Sequence, residues 1–113
     1  MMLLLLLLSQ VSGRTPYDVV VPNAIVAQHN LYVACQDRHF DDRRVRDRAS
    51  FRGEVERAIT ACATQKAALK QEAEAVLARS PGYADQAARQ AALVEAFDGY
   101  DRTRRLMANF FPQ

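Results

Sequence analysis

The sequence has no tryptophan, four glycines, four prolines, two histidines and two cysteines. So few glycines and prolines exclude a collagen-like chain or a Pro/Gly-rich disordered one. There is no glycine-rich loop, so the phosphate cradle of a nucleotide-binding turn is absent. Two Cys and two His do not make the four closely paired ligands of a structural zinc site. An excess of one charge is also missing: 15 Lys and Arg stand against 13 Asp and Glu. The basic field of a dedicated nucleic-acid binder is therefore not there. A length of 113 residues allows one domain.

One long hydrophobic run is present. Met1 to Gly13 contains six consecutive leucines, Leu3 to Leu8, followed by small and polar residues. This is the form of a secretory leader, with Val11 and Gly13 as the small residues before a cut after Gly13. A spanning helix needs roughly 20 apolar residues, about twice this run, so no membrane span is expected in the mature chain. Cys35 and Cys62 agree with export. An exported chain meets an oxidising compartment, where an even pair of cysteines closes into a disulfide. A bridge between them would stabilise the fold by about 3.5 kcal/mol in the chain-entropy picture.

The mature chain reads as all-α. Residues 14–22 form an extended lead-in bounded by Pro16 and Pro22, and 23–111 form a single helical domain. Ile25, Val26, His29, Tyr32, Val33 and Gln36 recur at helical spacing and predict a first helix over 23–37. Residues 36–48 carry both charge signs without an apolar stripe and read as a solvated connection. Phe51, Val55, Ala58, Ile59, Cys62, Lys66, Leu69, Ala73, Val76 and Leu77 predict a long helix over 48–79. Ser80-Pro81-Gly82 ends it, and Ser80 is a candidate cap for a third helix over 83–109. That helix is expected to bury Ala87, Ala91, Val94, Phe97, Tyr100 and Met107. A short turn between two long helices makes an antiparallel hairpin. The first helix is then a shorter element stapled onto it through Cys35 and Cys62.

Catalytic and metal chemistry find little support. Cys35 and His39 are four apart, and with Cys62 and an aspartate, Asp37 or Asp41, they could be placed around a metal; an oxidised cysteine pair removes that site. Cys62 and His39 carry no nucleophile motif. Glu54 with Glu56, and Glu72 with Glu74, are two apart on a helix and point in different directions, as solvated faces do. Arg57, Lys66, Lys70 and Arg89 supply the residue types of a dicarboxylate site without a recognisable spacing. Residues 36–57 hold seven Arg against six Asp or Glu, a mixed-sign surface rather than a basic stripe. Arg102, Arg104 and Arg105 are expected to face Asp98 and Asp101. No catalytic residue, cofactor or metal is assigned.

The remaining feature is the C-terminal stretch Leu106, Met107, Phe110 and Phe111. These residues either cover the end of the hairpin, against Phe40 and Phe51, or present an apolar surface to a protein partner or a second copy. With its leader, single cysteine pair and Ala- and Arg-rich hairpin, the layout loosely resembles small exported helical proteins of bacteria. The sequence thus predicts a non-enzymatic helical protein in the periplasm or outside the cell, acting by binding another macromolecule. The alternative is a cytosolic adaptor or nucleic-acid-associated protein with reduced cysteines.

Overall fold

A computed structural model describes Thr15 and residues 17–113, so the expected leader lies outside the described residues. All regular structure among them is helical. A 3-10 turn at Asn23–Ile25 leads into α1 (Val26–His39). A second 3-10 turn at Asp42–Arg44 precedes α2 (Arg48–Ala61), and α3 (Ala63–Ala78) follows after one interrupting residue, Cys62. The return limb is α4 (Gln86–Leu93), a π turn at Val94–Asp98, α5 (Gly99–Leu106) and a 3-10 turn at Met107–Phe110.

Two long helical limbs therefore pack antiparallel, with α1 laid against α2 and α3. Cross-limb pairs fix the direction: Glu74 meets Arg89 and Gln90, Lys66 meets Asp98 and Asp101, and Glu56 meets Arg105. Partner numbers fall on one limb as they rise on the other. The main-chain N–H of Arg48 donates to the carbonyl of Pro112 at 2.7 Å, closing the far end.

Local chemistry explains the boundaries. Asp47 and Ser50 form a reciprocal capping box that starts α2. Asp85, not Ser80, caps α4 by accepting from the N–H of Ala88. The Ser80 hydroxyl instead donates back to the carbonyl of Val76 and helps close α3. Between them the N–H of Tyr83 donates to the carbonyl of Ser80, and Gly82 has φ +87°. A turn with Pro second and Gly third wants that positive φ, which only glycine adopts without cost. The first helix runs on to His39, with Arg38 in its last turn, where a cation complements the helix dipole.

The first limb buries the stripe read from its sequence: Phe51, Val55, Ala58, Cys62, Leu69, Ala73 and Leu77 are all buried. The second limb is rotated. Leu93, Ala96 and Phe97 are buried, whereas Ala87, Ala91 and Val94 face solvent. Leu93 and Phe97 bury far more apolar area than alanines do. The π turn at 94–98 also adds a residue to one turn, so a single 3.6-residue period does not describe both halves.

Candidate interaction site

The described residues form two cores of different character. The central one joins Ile25, Tyr32, Cys35, Cys62, Leu69, Leu77, Leu93 and Phe97. Cys35 and Cys62 are bonded, with their Cα atoms 6.1 Å apart, and tie α1 to the joint between α2 and α3. Beside the bond lies a buried polar cluster around Asp101, which is 3% exposed. Its Oδ1 accepts from the Tyr32 hydroxyl and from Gln36 Nε2, both at 2.6 Å, and its Oδ2 accepts from Lys66 Nζ at 2.8 Å. Lys66 also pairs with Asp98, to which Lys70 donates at 3.2 Å.

These contacts set the titration behaviour. Burial, aided by the Asp101 carboxylate, pushes the Tyr32 hydroxyl well up from 10.0. Burial pulls the Lys66 ammonium down, but Asp101 and Asp98 more than offset it and hold it above 10.5. For Asp98, partial burial acts upward, and Lys66 and Lys70 win, keeping its carboxyl below 3.8. His29 meets Phe97 and Tyr100 edge-on, and its Nε2 is buried without a partner. Burial lowers its imidazole from 6.5, against a smaller upward effect of Asn30.

The second core, at the other end of α2, is small and aromatic: Phe51, Val55 and Ala108, with Phe40, Val45, Ile59, Met107 and Phe111 packed against it. Phe51 stacks on Phe111 at 4.6 Å and meets Phe40 edge-on at 5.4 Å. The Arg104 guanidinium lies over the Phe40 ring, with Cζ 4.8 Å from its centroid. An open cavity of about 480 Å³ is lined here by Asp37, Phe40, Asp42, Val45, Phe51, Arg104 and Phe111. That size suits a drug-sized molecule or a few side chains of a peptide. Arg104 has no carboxylate within 4.0 Å among the described residues. Its Nε is buried without an acceptor, and the Met107 sulfur stands 4.0 Å from a terminal nitrogen.

The four C-terminal residues divide. Phe111 is half-buried on Phe51, and Met107 packs into the same core. Leu106 is half-buried. Phe110 is 70% exposed, more than any other large apolar side chain described, and touches only the Tyr17 ring, at 5.2 Å, among the aromatics. The covering and the exposed arrangements thus coexist at one end of the hairpin.

Several charged residues are not where the sequence placed them. Asp98 and Asp101 are held by lysines of α3, so Arg105 goes to Glu56 at 2.5 Å and Arg102 to Glu95 at 3.7 Å. That leaves Arg104 for the aromatic rings. Its position had a signal: it lies four residues from both Tyr100 and Ala108, on the inward face of α5. Glu54 is buried rather than solvated, accepting from Arg57 at 2.6 Å and from the N–H of Asp41 at 3.0 Å. Gln36 is likewise inside, on Asp101. Arg57, Lys66, Lys70 and Arg89 are each paired to an acid and converge on no shared cavity.

Comparison with protein-family models, with curated proteins and with solved structures found no match. No helix among the described residues is long and apolar enough to cross a membrane.

Proposed function

We propose that the chain is an exported, non-enzymatic helical protein that docks an apolar segment of a partner protein against its aromatic end. The observation that carries this reading is the open cavity walled by Phe40, Val45, Phe51 and Phe111, with exposed Phe110 near it in the chain. A second open cavity, of about 400 Å³, is lined by Val20, Pro22, Tyr83, Ala91, Ala92 and Glu95, with a single ring and no arginine. Aromatic side chains and arginine are the types that dominate protein interfaces, and both line the cavity at the aromatic end. The disulfide supports an oxidising compartment, as does the leader-like run at 1–13.

Two measurements test the reading. Intact mass of protein made with its native leader should show loss of residues 1–13, with two alkylations appearing only after reduction. A full-length species that alkylates without reductant overturns export. For the docking end, a photo-crosslinking phenylalanine analogue at position 110 should give one discrete adduct in the exported fraction. The same analogue at position 31 should give none. Equal labelling from both positions overturns the site, and an adduct of twice the monomer mass assigns it to a second copy instead of a partner.

A further inference from the structure

We propose that reduction turns the Cys35–Cys62 staple into a divalent-metal site, with Cys35, Cys62 and His39 as ligands and zinc as the ion this donor set suits. The ligand atoms of the three side chains lie within 4.8 Å of one another. Cys35 and His39 are one turn apart on α1, so they share a face. Cys62 comes from the joint between α2 and α3 and is held opposite them by the packing of both helices on α1. Two sulfurs on one tetrahedral zinc, each about 2.3 Å from the ion, are about 3.8 Å apart. With the two Cα atoms 6.1 Å apart, rotation about the side-chain bonds provides that separation.

The His39 imidazole has no hydrogen bond, ion pair or ring contact among the described residues, and His39 is exposed while both cysteines are buried. It is the ligand an incoming ion would meet first. Lys66, one turn beyond Cys62, is already neutralised by Asp98 and Asp101 and does not oppose a cation there.

The chemistry balances. A dithiol reductant delivers two electrons and two protons; the S–S bond breaks, two S–H bonds form, and the reductant becomes a disulfide. Zinc then displaces the two thiol protons as two Zn–S bonds form, and the neutral imidazole gives a nitrogen lone pair. Three protein ligands leave the fourth position to water. The site would exist only in reducing surroundings, so metal loading follows the thiol state. It shares no residue with the lining of the aromatic cavity and stands or falls without the docking reading.

The test is an anaerobic cobalt(II) titration of the full-length protein, reduced with a phosphine so that no competing thiol is present. The expected result is one cobalt per chain, with thiolate-to-cobalt absorption and the visible bands of a tetrahedral ion, reversed by zinc. Protein left oxidised should give none of these bands. Losing a ligand costs at least as much as losing an outer-shell partner, so His39→Ala should weaken binding by about tenfold or more. Far-ultraviolet circular dichroism follows the helix content of each sample. Absence of the bands in the reduced protein overturns the proposal. So does equal affinity in His39→Ala, including the case where reduction melts the helices and cobalt binds a flexible dithiol.

Discussion

The centre of the bundle and its aromatic end are built from the same helices by opposite rules. At the centre, a covalent bond and a carboxylate with three donors hold α1, α3 and α5 together. At the end, three phenyl rings, Val45, Asp37, Asp42 and a guanidinium with no carboxylate within 4.0 Å among the described residues surround a cavity. A buried charge is tolerable only when it is paired and hydrogen-bonded, and Asp101 meets that condition. A cation that lies over aromatic rings at the mouth of an open cavity, with no carboxylate paired to it among the described residues, still has contacts to offer. The contrast separates what keeps the molecule folded from what is left to bind.

The largest test of the contrast is reduction of the disulfide. It should cost about 3.5 kcal/mol for a closed loop of this size, read as a fall in the urea midpoint. An undiminished midpoint would mean that the central packing alone fixes α1. Next, Asp101→Ala should cost about 3 kcal/mol, because it takes the acceptor from the buried Tyr32 hydroxyl and Gln36 amide and leaves Lys66 with Asp98 alone. Tyr32→Phe removes one hydrogen bond to a charged acceptor and should cost about 1.5 kcal/mol in the same assay.

Acid and alkali should act on different regions. Lys66 and Tyr32 have folded pKa values raised above 10.5 and 10.0. Their stabilisation is complete below about pH 10 and is lost as pH rises through the folded values. The alkaline transition should therefore begin in the centre and appear first in tyrosine near-ultraviolet dichroism. Hydrogen bonds from their arginine or serine neighbours hold Asp41, Asp47, Glu54 and Glu56 below their ordinary 3.8 and 4.5. They support the segment carrying Phe40 and Phe51, and their contribution is present above those values and lost as pH falls through the depressed ones. The smallest effect on stability should come from Phe110→Ser, below about 0.5 kcal/mol for an exposed side chain, with loss of partner docking. If it destabilised the fold as much as Asp101→Ala does, the two regions would not be distinct.

Much of this architecture was legible in the residues. The stripe from Phe51 to Leu77 is a clean helical period in strong helix formers, and it packs as read. Pro81-Gly82 marks the turn because only certain dihedrals suit that pair. The pairing of Cys35 with Cys62 followed from their count and surroundings, and the structure brings them together. What failed was the second limb, where a π turn breaks the period between Leu93 and Gly99. The charge partners failed for a related reason. Asp98 and Asp101 look like local company for the arginines beside them, but lysines on the other limb reach them first. The site suffers most from this: Arg104 is free for the rings only because of a cross-limb choice that no local window contains. Val45, one apolar residue in a charged stretch, was the visible hint that residues 40–45 fold back on the end.

The staple also governs what happens when the chain is cut. Arg38, Arg43, Arg44 and Arg46 are exposed around the connection from α1 to α2, where a trypsin-like protease would attack. All four lie between Cys35 and Cys62. A nick at any of them leaves a single covalent molecule, because the two fragments stay joined through sulfur. Phe40, Val45 and Phe51 then remain attached at the same end, and two pieces separate only when a reductant is added.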